Sequence, residues 1–205
     1  KETGAKVTGI TLSKNQLEFA KQRAHEQGLS EKVEFLLIDY REITRNFDRI
    51  VSVGMFEHVG FRYFTKFFKK VYNILNNDGV FLLHTIGQRG GPASTNAWIR
   101  KYIFPGGYIP SLSEIIKSTE KLDLNVTDIE ILRLHYANTI KNWRANLLLN
   151  KKKVIEMFDE KFFRMWDFYL VGSEYSFRNM GNVVYQIQIS KNINNLPQTR
   201  NYMYN

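Results

Sequence analysis

An acid and an imidazole, Glu57 and His58, stand between a strand-like run and a helix-like pattern. Ile50, Val51 and Val53 form a β-branched apolar run, as in a buried parallel strand, and the run stops at Gly54. In open α/β sheets the loop after such a strand lies at the carboxyl edge, where ligands bind. The pair could therefore exchange protons with a ligand, or it could belong to an ordinary strand-to-helix turn that happens to carry two polar residues.

The elements that would position this loop alternate between strand and helix up to residue 86. Strands are predicted at 6–12, 33–38, 49–54 and 80–86, and helices from Ser13 to Gly28 and over 61–76. Ser13 is a suitable N-cap, and Gln16 would complete a capping box. The composition of residues 76–79 predicts a turn. The alternation predicts a parallel sheet with right-handed crossovers.

Beyond residue 86 the pattern changes. Residues 87–108 hold five of the 13 glycines and two of the four prolines, interleaved with aromatic residues. We expect residues 87–125 to form an insertion that covers the carboxyl edge like a lid, within a single domain spanning 1–205. The remaining predictions are a short helix from about 111 to 122, a strand at 125–132, a long helix over 138–168, a helix over 169–180, a strand at 182–189 and a loose tail.

Composition excludes several classes of protein. An apolar content of 43% excludes a disordered chain, and the absence of cysteine excludes disulfides, thiolate catalysis and Cys-ligated zinc in this sequence. No apolar run approaches the ~20 residues of a membrane span, and no secretory leader is visible. The net charge of +9 suggests an anionic partner, nucleic acid or a membrane surface, unless it reflects a generally basic proteome. The scattered lysines argue against a nucleic-acid arm.

Five strings in this sequence resemble, in the same order, the cyclopropane-fatty-acyl-phospholipid synthases and the related mycolic-acid cyclopropane synthases. They are Thr8–Gln16, Met55–Gly60, Leu83–Gly87, Phe104–Pro110 and His135–Thr139. The resemblance implies an α/β fold, the class I S-adenosylmethionine-dependent methyltransferase (Rossmann-like) fold. It also implies a reaction in which the methyl group of S-adenosylmethionine is added to the cis double bond of an unsaturated phospholipid chain. Loss of a proton from that methyl group to a bound bicarbonate then closes a cyclopropane ring.

The resemblance also implies the catalytic residues. Glu57 would orient the bicarbonate, His84 and the backbone at Ile86 would hold it, and the Tyr136 hydroxyl would close the group. These residue types suit an anion, which needs donors, next to a carboxylate that raises the basicity of a protonated partner. Without the resemblance, a histidine near the end of an apolar strand is more readily explained by a bond to a backbone carbonyl, and Tyr136 by a place in the core.

The cofactor would lie on residues at the ends of the first three strands. After the first two strands these are Thr11, Leu12, Gln16, Asp39, Tyr40 and Arg41, with Tyr40 flanking the adenine and Asp39 bonding its amino group. On the methionine side they are Val53, Gly54 and His58. No metal is expected. Five aromatic residues are candidates for lining an acyl channel: Phe56, Tyr108, Trp143, Phe163 and Tyr169. None is assigned firmly, because aromatic residues at helical spacing usually belong to the core.

Two features that the resemblance implies have no counterpart here: a glycine-rich loop after a preceding strand, and a cysteine whose backbone helps to hold the bicarbonate. We therefore expect the sequence to start at the second strand of the sheet, with unpaired edges on the strands at 6–12 and 49–54. We also expect the chain to bind the cofactor weakly or not at all, and self-association could mask the open edges. The basic surface would attract anionic lipid, which predicts a cytoplasmic protein peripheral at the inner face of the membrane.

Two other functions stay open at this point. The chain could be a related methyltransferase that acts on a small amine or a sterol, since the acceptor would be chosen by the aromatic insertion. It could also be a non-catalytic, lipid- or nucleic-acid-associated remnant. Charge alone would hold such a remnant on anionic vesicles, and that binding would fall with salt.

Overall fold

The computed structural model describes residues 1–204, which form two compact units that divide between Arg45 and Asn46. The first unit is a parallel pair of strands, β1 (Val7–Thr11) and β2 (Val33–Leu37), connected by helix α1 (Lys14–Glu26). The predicted N-cap is confirmed, since the Ser13 side chain accepts from the Gln16 amide, but the capping box does not form because the Gln16 side chain bonds to Thr11. Gly28, with φ of +64°, follows the helix. A left-handed backbone of this kind favours glycine.

The second unit is built on a four-stranded sheet. Its strands are β3 (Phe47–Val53), β4 (Leu75–Gln88), β5 (Asn125–Leu132) and β6 (Asn182–Ser190), in the order β3-β4-β6-β5. β3 and β4 are parallel, as predicted, whereas β6 runs antiparallel to both β4 and β5. Among the described residues β1 pairs only with β2 and β3 only with β4, so each unit has its own sheet.

Side chains alternate across β4 and create two different faces. Phe81 points to one face, where its ring lies 6.1 Å from that of Phe67 and 6.4 Å from that of Phe68, both in helix α2 (Phe64–Ile74). Ile86 points to the other face, where it packs with a buried cluster from the helices described next. One strand therefore supplies core residues to one side and, at His84 and Ile86, site residues to the other.

Two helices beyond β4 complete the connection to β5. They are α3 (Ala97–Tyr102) and α4 (Leu112–Glu120), within the segment predicted to be an insertion. The start of α4 carries a full capping box between Ser111 and Glu114, and the Gln88 amide donates to the carbonyl of Pro110 at 2.8 Å. The two ends of the glycine- and proline-rich segment are thereby held together by a hydrogen bond to the end of β4.

Three helices cover the other face, where the sequence predicted one long helix and a second shorter one. They are α5 (His135–Leu149), α6 (Lys151–Met157) and α7 (Glu160–Asn179). The side-chain amide of Asn150 donates to the carbonyl of Asn146 at 2.8 Å, and the Asp159 carboxylate accepts from the Phe162 amide at 2.6 Å. The long-helix prediction was wrong because these short polar side chains bond to backbone groups and favour helix ends over helix interiors.

Two further local predictions differ from the structure. Residues 76–79 belong to β4, as a bulge: Leu75 pairs with Phe47 and Val80 with Arg49, so that β4 uses five residues where β3 uses two. The chain after β6 is anchored as well. Arg200 forms an ion pair with Asp128 in β5, and a short 3₁₀ turn follows.

The core between the sheet and α2 contains stacked phenylalanines, and we predict that Phe68→Ala lowers the free energy of unfolding by about 3–5 kcal/mol. Phe68 is fully buried and contacts the rings of Phe56, Phe67 and Phe81. The measurement is urea denaturation followed by circular dichroism. Phe61→Ala is the matched control, since that ring is 54% exposed, and its loss should cost about 1 kcal/mol or less. Equal losses for the two variants would contradict the packing described here.

Candidate functional site

The loop after β3 is held in place by one buried side chain, the ring of Phe56. Gly54 turns the chain with φ of +64°, and its amide donates to the carbonyl of His84 at 3.1 Å. A 3₁₀ turn over Phe56–His58 follows. The Phe56 ring is fully buried, 4.2 Å from the ring of Phe64 and 5.0 Å from that of Phe67. The adjacent Glu57 is held in place by this anchor.

Glu57 is a buried carboxylate with one oxygen bonded and one unbonded. Its Oε1 accepts from the backbone N–H of Ile86 at 2.6 Å, and its backbone carbonyl accepts from the amide of Tyr108 at 2.8 Å. Its Oε2 is buried and has no hydrogen-bond partner among the described residues. A buried acceptor without a donor is destabilising, so Oε2 marks the place where a ligand with an O–H or N–H group would be stabilised.

His84 lies opposite Gln186 in the antiparallel β4–β6 ladder. Nδ1 of the imidazole is 3.1 Å from the side-chain amide nitrogen of Gln186, which can only donate. With the Gln186 amide in this orientation, Nδ1 accepts the bond, which leaves Nε2 as the nitrogen that can carry a proton. Sequence reasoning did not identify Gln186. The sequence feature that could have identified it is a polar residue on the same face of β6 as Val184, which packs in the core covered by the helices.

Two tyrosines complete the same region. Burial raises the pKa of Tyr136, and the nearby Tyr169 and Glu57 raise it further, so its hydroxyl stays protonated at neutral pH. Burial also raises the pKa of Tyr169. Both tyrosines pack against the buried cluster that Ile86 contacts. Glu57 thus bonds to Ile86 and influences Tyr136, while the His84 side chain, two residues before Ile86, bonds to Gln186. The catalytic roles of all four residues stay predictions.

The N–H of Ile86 has a different partner from the one that the resemblance implied. It was expected to hold the bicarbonate, whereas here it is donated to Glu57. The glycine that follows it, Gly87, is explained by packing: a Cβ there would come within 2.0 Å of the Tyr185 ring. The Tyr185 hydroxyl donates to the carbonyl of Gln88 at 2.7 Å and so fixes the end of β4.

The predicted cofactor residues of the first unit form two local groups. Thr11 donates from its hydroxyl to Oε1 of Gln16 at 2.7 Å, in place of the reciprocal capping-box bond. Asp39 accepts from Nε and a terminal nitrogen of Arg41 at 2.8 and 2.7 Å and from its backbone amide, and the side-chain bonds lower the pKa of Asp39. Leu12 is 73% exposed, and burial raises the pKa of Tyr40. The strand ends thus carry an ionised acceptor and a partly buried ring.

The predicted cofactor residues of the second unit lie on the loop that carries Glu57. Val53 is 64% exposed at the end of β3, and Gly54 and His58 are exposed as well. The His58 ring lies 6.0 Å from that of Phe104, in the segment predicted to be a lid. Residues 1–204 contain no cluster of three or more His, Asp or Glu that could ligate a metal. Nor does any helix in this range have the length and apolar character to cross a membrane.

Residues 1–187 match the family model described as mycolic acid cyclopropane synthetase. This chain belongs to that family. It is 39% identical over 215 residues to a probable fatty acid methyltransferase of Pseudomonas putida, covering 100% of this chain and 55% of the relative. It is 36% identical over 189 residues to the cyclopropane-fatty-acyl-phospholipid synthase of Escherichia coli K12, covering 92% and 48%. The chain therefore spans about half the length of these curated relatives.

The fold agrees with the family. The structure of mycolic acid cyclopropane synthase CmaA1 complexed with SAH and CTAB matches with a TM-score of 0.82 and 33% identity, covering 89% of this chain and 68% of that one. The predicted fold, the class I S-adenosylmethionine-dependent methyltransferase fold, is thereby confirmed. Five strings had indicated this family, and the match extends over most of the sequence between them.

The Gln186–His84 bond leads to a prediction about the imidazole. In the wild-type chain the neutral His84 ring should carry its proton on Nε2, and Gln186→Glu should shift the proton to Nδ1 because a carboxylate only accepts. Two-dimensional ¹⁵N NMR of the histidine rings measures the tautomer, with His84→Gln to assign the signal. Gln188→Glu, two residues along the same strand, is the control and should leave the tautomer unchanged. An Nδ1–H ring in the wild-type chain would contradict the bond.

Proposed function

We propose that this chain transfers the methyl group of S-adenosylmethionine to the cis double bond of an unsaturated phospholipid acyl chain and closes a cyclopropane ring. Family membership supports methyl transfer, and the relative from Escherichia coli is named for the full reaction. The observation that carries the proposal is the buried Glu57 carboxylate, which keeps one oxygen without a hydrogen-bond partner among the described residues and raises the pKa of the nearby Tyr136 hydroxyl. Such an arrangement suits a small protonated anion.

The residues around Glu57 fit bicarbonate. This ion has one O–H donor and several acceptor oxygens, and the region offers the complementary set: the free Oε2 of Glu57 as acceptor, with the Tyr136 hydroxyl and Nε2–H of His84 as donors. Bicarbonate, when bound, would supply the base that takes a proton from the transferred methyl group. Ile86 would act indirectly, since its N–H holds Glu57 in place.

The remaining residues would bind, orient and exclude water. An alkene is a weak nucleophile, so alignment with the sulfonium methyl group and protection of the resulting cation dominate the catalysis. The proposed cofactor residues of the first unit are Thr11, Leu12, Gln16, Asp39, Tyr40 and Arg41, and those of the second unit are Val53, Gly54 and His58. The ring of Phe104 lies beside His58 and that of Tyr169 packs against Phe104, and both rings would exclude water from the cation.

Binding of the cofactor is the first measurement. We expect calorimetric titration of S-adenosylmethionine into the 205-residue chain to show weak binding, and Asp39→Asn to weaken it further by removing an ionised acceptor. Asp123→Asn, on a loop next to α4, is the matched control. No heat with the wild-type chain would show that the described strand ends do not suffice for binding. Wild-type affinity in Asp39→Asn would remove Asp39 from the cofactor site.

The role of Glu57 has its own test. Glu57→Gln should lower methyl transfer to vesicles of cis-unsaturated phospholipid by about 10²–10⁴-fold, the usual contribution of a positioned base, because Glu57 would orient the bicarbonate that takes the proton. The affinity for S-adenosylmethionine should stay within about threefold, because ion and cofactor are held separately. The measurement is incorporation of labelled methyl groups, with saturated phospholipid as the blank. Glu120→Gln, an exposed control at the end of α4, should retain full activity.

A second candidate is methyl transfer without ring closure. It is favoured by the relative from Pseudomonas putida, whose name specifies a fatty acid methyltransferase. Both reactions begin with the same methyl transfer, so the Glu57 region serves either one. Proton NMR of the product lipid separates them, since ring protons resonate far upfield of those on a methyl branch.

Three further expectations belong to this proposal. The chain would act as a peripheral protein at the inner face of the membrane, on an anionic surface attracted by the net charge of +9. Residues 87–125 would cover the site as a lid. The open edges of β1 and β3 would favour self-association, which gel filtration measures.

A further inference from the structure

The most exposed apolar side chains of the second unit include a group at the junction of α5, α6 and α7. Leu149 is 84% exposed, Met157 64% and Phe158 58%, with Leu148 beside them at 45%. These residues flank the seven-residue helix α6 at both ends. We name this surface, Leu148–Phe158, the α6 corner. Several large apolar side chains exposed together mark an interaction surface.

The α6 corner also carries positive charge. Lys151, Lys152 and Lys153 are consecutive and exposed at the start of α6. Lys151 is partly engaged, 3.5 Å from Glu160 and 5.0 Å from the centre of the Phe163 ring. Lys161 and Arg164 in α7 add to the positive charge, while Glu156, Asp159 and Glu160 offset part of it. Lysines next to exposed leucine, methionine and phenylalanine are the composition of a surface that enters the headgroup region of an anionic bilayer.

Contacting aromatic rings connect the α6 corner to the Glu57 region. The ring of Phe158 stacks on that of Phe162 at 4.2 Å, which stacks on Trp166 at 5.9 Å, which lies 5.2 Å from Tyr169. Tyr169 lies 5.9 Å from Phe104, and Phe104 lies 6.0 Å from His58. One end of this ladder is open to solvent, and the other lies beside the loop that carries Glu57.

We propose that the α6 corner docks this chain on an anionic lipid bilayer, with Leu149, Met157 and Phe158 inserted among the headgroups and Lys151–Lys153 paired with their phosphates. The charge of the corner selects the bilayer over an apolar protein partner. The proposal rests on the proposed function, to which it adds the surface of contact. It also orients the site, because the aromatic ladder then leads from the bilayer to Glu57 and gives an acyl chain an apolar path.

The sequence permits a direct test because it contains no cysteine. Leu149→Cys gives a single thiol for an environment-sensitive fluorophore, and Ile193→Cys gives a control at another exposed apolar position. With vesicles containing phosphatidylglycerol, the label at 149 should shift to shorter wavelength and the label at 193 should not. Vesicles of phosphatidylcholine alone should produce a much smaller shift at 149.

A second measurement uses the charges. Lys152→Gln with Lys153→Gln should weaken binding to the same vesicles by about thirty-fold, since each basic residue near an anionic surface contributes a factor of about five. Lys69→Gln with Lys117→Gln is the matched control on α2 and α4, across the sheet, and should weaken binding far less. Vesicle flotation gives the affinities, and circular dichroism verifies that each variant is folded.

The outcomes separate this inference from the proposed function. Vesicle binding lost in the α6 variants, with cofactor affinity retained, supports the corner whether or not methyl transfer is detected. Equal losses in both double variants, or a label at 149 that shifts only with chain concentration or with nucleic acid, would overturn it. Equal losses would mean that charge attracts the chain to vesicles without a specific surface. A shift that depends on chain concentration would identify a second copy of the chain as the partner, and a shift that depends on nucleic acid would identify nucleic acid.

Discussion

One hydrogen bond defines the candidate site: the N–H of Ile86 to the carboxylate of Glu57, at 2.6 Å. The parallel ladder between β3 and β4 runs up to the bond from Gly54 to the carbonyl of His84. Gly54 then turns the chain away from β4, so the next N–H of β4 on the side of β3, that of Ile86, has no backbone acceptor in β3. Glu57 supplies the missing acceptor. The end of a strand is thereby converted into a fixed, buried carboxylate.

The position of Glu57 depends on packing on the face of the sheet that α2 covers, and its surroundings depend on side chains on the opposite face. Phe56 is fully buried among the rings of α2, so the 3₁₀ turn cannot shift without opening the core. The alternation of β4 places His84 and Ile86 on the other face, where Tyr136 and Tyr169 of α5 and α7 pack against the same cluster as Ile86. Each helix layer therefore has a separate task. α2 holds the loop, and α5 with α7 supplies the hydroxyls.

Sequence patterns predicted the features that depend on local periodicity. The alternation of strands and helices, the cap at Ser13, the short helix from about 111, and the strands at 125–132 and 182–189 all agree with the structure. The breaks at Asn150 and Asp159 were missed because the apolar positions on either side keep a helical spacing. Gln186 was missed because its importance lies in a neighbour 102 residues away, a pairing that only the register of β4 and β6 reveals.

The unbonded Oε2 of Glu57 supports the proposal that this carboxylate binds a ligand. A buried acceptor without a donor destabilises the protein by about 1–3 kcal/mol. A glutamine in place of Glu57 could donate a hydrogen bond to a ligand, but its amide oxygen would accept one less strongly than a carboxylate oxygen does. If Glu57 served only to satisfy the N–H of Ile86, one oxygen would be enough and the second would face solvent. Its burial, in a carboxylate near enough to Tyr136 to raise the pKa of that protonated hydroxyl, favours a ligand that both accepts and donates. Bicarbonate satisfies both requirements, whereas a halide can only accept.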